Sequence, residues 1–492
     1  MSYVLAIDQS TSATKAVLVD TACRTVDCAS REHRQIYPQP GWVEHDAEEI
    51  WQNVRAALRK IADRNADCLA TAIGLAITNQ RETVVVFERS TGRPLHNAIV
   101  WQCRRGDAIC AELNGAWYGE TVRSKTGLKL DTYFSGSKLK WLIREKPEIR
   151  RQLENGEALI GTLDTYLMYR LTGGSIFATD STNASRTLLY DNRRRRWDEK
   201  LCGLFDVPMR SLPEVRESFA TFGETNAAGA LPRTLPICGV MGDSQASLFA
   251  QRCYRPGDAK ATFGSGTSVL LNMGDRFEAS QSGAVTALAW VLQGRPTYAL
   301  EGIINYSSAT ISWLKDRLGL IRDAAETASL AGAVEDNGGV YLVPAFAGLS
   351  APYWRQDARA AIVGMTAYTR KEHIVRAALE AIAYQIRDVL QMLQFDGGIA
   401  PKVLYADGGP TKNEFLMQFT ADILGLELIV ADVPESSALG AAMAAMLGTG
   451  AVSSLADLAA QPRDTRTYRP TMHADRVAQL YSGWQSAVKR VL

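Results

Sequence analysis

Short apolar runs that end in polar residues recur along the N-terminal part of the chain. The first two, Tyr3 to Asp8 and Lys15 to Asp20, are separated by a few residues rich in hydroxyl side chains. Two short apolar runs around a small polar turn are typical of a β-hairpin. A third run, residues 71–77, leads into the polar residues 78–82, and another follows at 83–87. The pattern predicts a sheet with polar side chains at the ends of its strands.

The same plan begins again after about residue 235, where apolar runs once more lead into turns of glycine and polar residues. Helical periodicity separates these runs. Two mixed α/β halves with polar turns at strand ends indicate a shared cleft, and we place the domains at 1–247 and 248–492. The later strands are predicted at Pro236–Met241, Ala259–Phe263, Ser268–Asn272 and Lys402–Ala406, and the helices at Ala47–Asp63, Ser137–Glu145, Lys371–Leu393 and Asn413–Leu424.

Length and charge narrow the class of protein. A chain of 492 residues exceeds the size at which a single hydrophobic core keeps growing. With 54 Lys and Arg against 53 Asp and Glu, the net charge of +1 provides no field that favours nucleic acid or acidic membranes. No run approaches the roughly 18 apolar residues that span a bilayer, and the N-terminus lacks the features of a signal peptide. We expect a cytoplasmic protein with no nucleic-acid partner and no membrane insertion.

Cysteine and histidine provide no sign of a metal centre. The eight cysteines form no CxxC pair, and the five histidines have no metal-ligand spacing. We expect reduced thiols and no structural zinc.

Two turns have the composition of a phosphate cradle. The chain lacks a Walker A motif, but Ser10-Thr11-Ser12 and Gly264-Ser265-Gly266-Thr267 each combine small or hydroxyl residues with a strand end. Backbone N–H groups of such turns bind phosphate oxygens. A turn of this kind between strands is structural more often than not, so either turn alone is weak support for phosphate binding.

Four polar residues could serve phosphoryl transfer. Asp8, at the end of the first strand, suits Mg²⁺ held through water, or it caps the turn. Asp243 lies between a strand and a helix, where a carboxylate acts as a general base or as an N-cap. Arg81 and Glu82 adjoin each other at a strand end, where a surface ion pair is the alternative to a binding role.

Many ordered segments carry a resemblance to a known family. The chain resembles the FGGY carbohydrate kinases and, among them, the glycerol kinases, over nearly its whole length. The segments that carry it are GWVEHDAEEIW (41–51), ITNQRETVVVFE (77–88), NAIVWQCRR (97–105), YFSGSKLKWLIRE (133–145), GTLDTYLMYRLTGG (161–174), TNASRTLL (182–189), PAFAGLSAPYW (344–354) and AAIVGMTAYTRKEHIVRAALE (360–380).

This resemblance implies two actin-like, ribonuclease-H-like domains that close on ATP and a small polyol or sugar, with Mg²⁺ as cofactor and a dimer or tetramer as the assembly. It implies Asp243 as catalytic base and Asp8 with Asp243 as metal carboxylates. The implied substrate-binding residues are Arg81, Glu82, Trp101, Tyr133, Asp243, Ser244 and Ser268. The implied nucleotide-binding residues are Thr11, Ser12, Ala13, Lys15, Gly264, Ser265, Ser308, Ser312, Gly408, Gly409 and Asn413.

Departures from the family pattern bear on the substrate. Ser244 stands where glycerol kinases have a glutamine that contacts glycerol, and Ser268 stands where they have a phenylalanine against its carbons. Losing a ring and an amide predicts a larger and more polar pocket. An apolar wall contributes roughly 1–3 kcal/mol to discrimination by one carbon unit. The loop that binds fructose bisphosphate in enteric enzymes is replaced by residues 227–232, so that regulation is not expected.

The sequence therefore predicts an ATP-dependent kinase acting on a terminal hydroxyl, with glycerol giving glycerol 3-phosphate as the first expectation. A kinase of erythritol, threitol, ribulose or xylulose is the alternative within the family. A nucleotide-binding regulator on the same scaffold is the alternative outside catalysis, although such a module has no need of a polyol pocket.

Overall fold

The structure, a computed structural model, describes residues 1–431, 433 and 435–492. Its N-terminal half is built on a six-stranded mixed sheet. Smaller two- and four-stranded sheets and several helices are inserted between its strands. In spatial order the strands of the main sheet are Thr221–Thr225, Leu235–Gly242, Ala72–Asn79, Tyr3–Gln9, Ala13–Asp20 and Thr25–Glu32.

The C-terminal half is built on a seven-stranded mixed sheet. Its spatial order is Val285–Leu292, Arg295–Ile304, Thr267–Gly274, Asp258–Phe263, Val403–Asp407, Glu427–Ala431 and Thr465–Tyr468. The remaining strands of the chain are Glu44–His45, Val84–Glu88, Ala98–Ile99, Ala158–Thr162, Ala178–Asp180, Tyr190–Asp191, Arg196–Trp197, Glu214–Arg216, Tyr341–Val343 and Ala361–Val363.

The two main sheets share one topology. In each, a central strand pairs antiparallel with the strand that follows it and parallel with a strand that arrives later in the sequence. A further parallel strand lies beyond the latter in both sheets. The predictions of two mixed α/β halves and of hairpins at 3–20 and 259–272 are confirmed. Equivalent strand ends from the two sheets can thus face a common cleft.

Helices cover the faces of both sheets. The first long one, Ala47–Arg64, begins at Asp46, whose carboxylate accepts from the backbone N–H groups of Glu48 and Glu49. Its buried residues recur at helical spacing, which gives one apolar face to the sheet. The α-helices are Ala47–Arg64, Ala66–Ala70, Asp107–Gly115, Gly119–Thr126, Ser135–Glu145, Pro147–Asn155, Leu163–Leu171, Ser181–Ala184, Glu199–Leu204, Asp243–Ala250, Ser308–Asp316, Glu326–Gly332, Lys371–Gly397, Glu414–Leu424, Ser436–Gly448, Leu455–Ala460 and Ala474–Lys489.

Two helices lie between the sheets and join the halves. Helix Asp243–Ala250 and the alanine-rich helix Ser436–Gly448 share a buried cluster with Val4 and Ala6 of the first sheet and Leu270 of the second. Small side chains let these elements approach closely. The expected boundary at 247/248 lies within the first of these helices, so division of the chain there stays a proposal.

The C-terminal helix, Ala474–Lys489, packs on its own chain. Its residues Leu480, Tyr481 and Trp484 are buried in a cluster with Tyr384 of the long helix. All eight cysteines are free. Within the described part of the chain, no helix is both long and apolar enough to cross a membrane.

Candidate active site

The first hairpin brings a buried carboxylate to the cleft. Its turn is closed by Ser10, whose N–H and hydroxyl both donate to the Ala13 carbonyl at 2.9 Å. Asp8 lies just before this turn, opposite Lys15 in the strand register. Burial raises the pKa of Asp8 to about 7; Lys15 opposes this rise, and the negative charges of Asp243 and Glu435 add to it. Asp8 is therefore a desolvated carboxylate that a cation would stabilise.

The Arg81–Glu82 pair occupies a strained turn. Glu82 has a φ of +63°, a left-handed conformation that is unusual for a residue other than glycine. The turn is held by Thr83 N–H donating to the Arg81 carbonyl at 2.8 Å and by the Ser135 hydroxyl donating to the Glu82 carbonyl at 2.9 Å. Such strain persists only where the surrounding structure enforces it, and it is concentrated at functional sites.

Arg81 belongs to a buried network of opposite charges. Its guanidinium donates to both carboxylate oxygens of Glu301, at 2.9 and 3.2 Å. Arg186 lies 3.0 Å from the same carboxylate and donates to Glu82 at 2.5 Å. All four side chains are almost fully buried. Two guanidinium groups and two carboxylates thus neutralise one another, which is how buried charges are tolerated.

The pKa values within this network follow from burial and pairing. Burial alone would raise the pKa of Glu301, but the guanidinium groups of Arg81 and Arg186 lower it to about 2. For Glu82, burial outweighs the same two cations, and its pKa is raised. The Glu301 carboxylate is therefore ionised at neutral pH and pairs with both arginines.

Arg81 also positions Asp243. Its Nε lies 3.1 Å from Asp243 Oδ1, and this N–H has no hydrogen-bond partner with suitable geometry among the described residues. Asp243 is the first residue of helix Asp243–Ala250, and its side chain is about one-third exposed, at 37%. The network thus holds one partly accessible carboxylate at the cleft.

These residues open on a cavity of about 580 Å³ between the halves. Two aromatic side chains form part of its wall, with the rings of Trp101 and Tyr133 5.3 Å apart and edge to face. The Trp101 indole N–H donates to the Thr11 hydroxyl at 3.0 Å, which connects this wall to the first turn. We name this cavity the polyol cavity, after the ligand that the resemblance predicts for its residues. The predicted residues that line it are Thr11, Arg81, Glu82, Trp101, Tyr133, Asp243, Ser244, Gly264, Ser265 and Ser268.

A second cavity of about 520 Å³ lies in the C-terminal half. Four predicted residues, Ser308, Ser312, Gly409 and Asn413, line it together with apolar side chains that include Leu379 and Ile382. We name it the nucleotide cavity, after the ligand that the resemblance predicts for these residues. The turn at Gly264 joins the two cavities, because the Ser308 N–H and hydroxyl both donate to the Gly264 carbonyl, at 3.1 and 2.6 Å.

Local backbone geometry positions the second cavity's polar residues. Gly408 has a φ of +100°, and a Cβ there would stand 1.9 Å from the Phe263 carbonyl oxygen, so this position needs glycine. Asn413 caps helix Glu414–Leu424 by accepting from the Leu416 N–H at 3.0 Å, and its amide donates to Thr327 at 2.9 Å.

Five predicted residues line neither cavity: Asp8, Ser12, Ala13, Lys15 and Gly408. Asp8 and Ala13 are buried, and Ser12 is exposed. Lys15 is paired with Glu435 of the C-terminal half, Nζ to Oε2 at 2.5 Å. This ion pair crosses the cleft beside Asp8, so Lys15 must leave Glu435 in order to bind phosphate.

Sequence reasoning missed several residues of the site, in the charged network and in the polyol cavity. Glu301 and Arg186 were detectable, since each is a single charge within an otherwise apolar or small-residue segment, and a buried charge needs a partner. Lys129 and Trp354, which also line the polyol cavity, gave no such signal. The hydroxyl of Ser268, predicted from a substituted aromatic position, donates to Glu301 at 3.2 Å.

Comparison with known proteins identifies the class. The model of the FGGY family of carbohydrate kinases, N-terminal domain, matches residues 3–250, and that of the C-terminal domain matches residues 259–449. The chain therefore belongs to the FGGY family of carbohydrate kinases and is an ATP-dependent phosphotransferase.

Individual relatives agree over the full length. The chain is 47% identical over 488 residues to the glycerol kinase of Carboxydothermus hydrogenoformans, covering 99% of this chain and 98% of the relative. It is 45% identical over 490 residues to glycerol kinase 1 of Thermotoga maritima, covering 100% and 99%. The crystal structure of Plasmodium falciparum glycerol kinase with ADP superimposes with a TM-score of 0.95 at 38% identity, covering 100% and 98%. A xylulose kinase from Rhodospirillum rubrum gives 0.88 at 25%, covering 99% and 98%.

Proposed function

We propose that this enzyme transfers the γ-phosphoryl group of ATP to a terminal hydroxyl of glycerol, forming glycerol 3-phosphate and ADP. One observation carries the proposal: Asp243, Arg81 and Glu82 line a cavity that a single backbone turn connects to a second, largely apolar cavity. The full-length similarity to glycerol kinases supports glycerol as the acceptor.

Asp243 is the general base of the proposed reaction. Its carboxylate accepts the proton of the terminal hydroxyl as that oxygen forms a bond to the γ-phosphorus. The bond between the γ-phosphorus and the β–γ bridging oxygen breaks, and ADP leaves. Arg81 supports this role because its guanidinium forms an ion pair with the carboxylate, with Nε 3.1 Å from Oδ1.

The remaining hydroxyls of glycerol bind to Glu82 and Arg81, and Trp101 and Tyr133 enclose the carbon chain. Glu82 supplies an acceptor whose orientation is set by Arg186 and by the strained turn. Since the network is assembled before substrate arrives, little reorganisation accompanies binding.

The adenosine of ATP is assigned to the nucleotide cavity and its phosphates to the turn at Gly264–Thr267. Leu379 and Ile382 offer an apolar surface for the base, and Asn413 and Ser312 offer polar contacts. The first hairpin, with Thr11, Ser12 and Lys15, faces the phosphates from the other half. Closure of the halves would exclude water from the γ-phosphate.

Mg²⁺ fits the carboxylates at this point. Asp8 is buried and, among the described residues, receives no hydrogen bond on its carboxylate, and burial is the main cause of its raised pKa. Asp8 and Asp243 would hold the ion through water, as hard oxygen ligands do. When bound, Mg²⁺ neutralises charge on the β- and γ-phosphates.

The test is product identification. The enzyme is incubated with Mg-ATP and glycerol, and products are followed by ³¹P NMR. Stoichiometric glycerol 3-phosphate and ADP are expected, and reaction without polyol should be far slower. If ATP is not consumed, or is consumed equally without glycerol, the assignment is wrong.

A second candidate within the family is a kinase of a four- or five-carbon polyol or ketose. Ser244 and Ser268 favour it, since both small side chains line the polyol cavity and leave room and polarity there. Rates of ADP formation with erythritol, threitol, ribulose and xylulose, measured beside glycerol, decide between the two.

A further inference from the structure

Two side chains outside the proposed glycerol contacts form one wall of the polyol cavity. Lys129 comes from the N-terminal half and Trp354 from the C-terminal half, and both line the cavity. The Lys129 Nζ lies 3.1 Å from the centre of the Trp354 ring. This cation–π contact therefore spans the cleft at the cavity's edge.

The backbone fixes Trp354 in this place. Trp354 has a φ of +51°, and its indole lies against Gly283, where a Cβ would stand 2.0 Å from Nε1. The preceding residue, Tyr353, donates to the buried Asp388 at 2.9 Å. Trp354 is still 41% exposed and lines the polyol cavity.

Lys129 is a cation without a protein acceptor among the described residues. Among the described residues its ammonium group donates no hydrogen bond, although it has three N–H groups. It is half-buried, and burial lowers its pKa to about 8, with Asp131 opposing the shift. The Asp131 carboxylate accepts the Tyr133 N–H on Oδ1 at 2.8 Å. A ligand oxygen in the cavity would supply the acceptor that the protein does not.

The neighbouring lining residues are compatible with a longer ligand. Ser244 and Ser268 are small, and among the described residues the Ser244 hydroxyl makes no hydrogen bond. A glycerol molecule held by Arg81 and Glu82 has no further hydroxyl for Lys129 if its three oxygens are bound at the charged network. A tetritol or pentitol has one or two hydroxyls more.

We propose that Lys129 and Trp354 form a distal subsite for the additional hydroxyls and carbons of a polyol of four or five carbons. Lys129 donates to a distal hydroxyl, and the Trp354 ring packs against the C–H groups beside it. Lys129 is thus a specificity-determining residue. This inference rests on the proposed function, since it presumes that a polyol hydroxyl lies at Asp243.

The experiment compares kcat/KM for glycerol, erythritol, D- and L-threitol, and xylitol in four proteins: wild type, Lys129→Met, Lys129→Gln and Lys60→Met. Lys60 is an exposed lysine on the first long helix, so its variant is the matched control. Wild type is expected to phosphorylate at least one longer polyol. In Lys129→Met, kcat/KM for that longer polyol divided by kcat/KM for glycerol should fall about tenfold or more. The fall should come mainly from a higher KM, as loss of a charged hydrogen bond predicts.

Lys129→Gln keeps a donor and should recover part of that ratio, and Lys60→Met should match wild type. Thermal unfolding of each variant establishes that the fold is retained. Turnover of glycerol alone by wild type would overturn the subsite and leave the proposed function standing. An equal loss for all substrates in Lys129→Met, through kcat, would also overturn it and indicate that the contact only holds the halves together. Failure of wild type on every polyol would reject both proposals.

Discussion

The polyol cavity and the nucleotide cavity are built from different chemistry. The first lies between the halves and is organised by four buried charges, those of Arg81, Glu82, Arg186 and Glu301. The second lies within the C-terminal half and combines small polar residues and apolar side chains with three exposed charged residues, Lys315, Asp323 and Lys412. Charges that are fixed in advance suit the cavity in which bonds form and break, because their orientation costs nothing during the reaction. A largely apolar surface suits a base that is only bound.

The largest expected effect is on kcat, and it distinguishes catalysis in the polyol cavity from binding in the nucleotide cavity. Replacing Asp243 with Asn should lower kcat roughly 10²- to 10⁴-fold, because the general base is lost. ADP affinity, measured by calorimetry, should stay within about twofold, since the nucleotide cavity is untouched. More than a few per cent of wild-type turnover in this variant would show that Asp243 is not the base.

A second substitution tests whether the buried charges hold the polyol cavity together. Glu301→Gln leaves two buried guanidinium groups with a single fully buried carboxylate, Glu82, so we expect the free energy of unfolding to fall by about 3–5 kcal/mol. Urea denaturation measures it. The matched control is Glu278→Gln, which removes an exposed pair with Arg276 and should cost under about 1 kcal/mol. Equal losses in the two variants would mean that the network contributes no more than a surface pair.

Asp8 is expected to have an intermediate effect on the stability of the fold, and this effect depends on pH. Its pKa is raised by folding to about 7, so the unfolded chain loses this proton at lower pH than the folded chain does. Asp8 therefore lowers stability progressively from about pH 4 to about pH 7, and fully above that range.

Asp8→Asn should consequently raise Tm at pH 8 in the absence of Mg²⁺ by a few degrees, with the difference vanishing near pH 4, while kcat falls. Calorimetric scans at the two pH values measure this. A lower Tm at pH 8 would contradict the account of Asp8 as a desolvated carboxylate retained for cation binding.

The smallest expected effect concerns the nucleotide cavity. Asn413→Ala removes a helix cap and one polar contact, which together cost about 1 kcal/mol in stability and raise the KM for ATP about fivefold. The KM for glycerol should change by less than about twofold, because the charged network is remote from this cap. Initial rates over both substrates measure these constants. A comparable rise in both would show that the cavities are not independent.

Much of the fold was predictable because its signals are local. The first hairpin, the strands at 72–79 and 235–242 and the helices Ala47–Arg64 and Lys371–Gly397 follow from apolar period and turn composition. The repetition of one plan in both halves predicted the cleft. The packing of helix Ser436–Gly448 between the sheets was not predictable, because it depends on contacts distant in sequence.

The site residues also divide into those with local sequence signals and those that depend on distant contacts. Those at strand ends and turns, such as Asp243 and Ser265, carry signals in composition and family motif. Lys129 and Trp354 meet only when the halves are assembled, and neither stands in a turn with phosphate-binding character. Glu301 was partly predictable. Its charge within the run Tyr298–Ile304 indicates that it needs a buried partner, but the sequence does not show that the partners are Arg81 and Arg186.

The most direct test of the claim that both cavities serve one reaction is hydrogen–deuterium exchange on Asp243→Asn loaded with Mg-ATP and glycerol. ATP alone should slow exchange at 308–316 and 408–416, and glycerol alone at 81–83 and 133–135. Both together should additionally protect 264–267, the turn that joins the cavities. Protection by glycerol at segments remote from residues 81–83, or no added protection at 264–267 in the ternary complex, would contradict a single site spanning the two cavities.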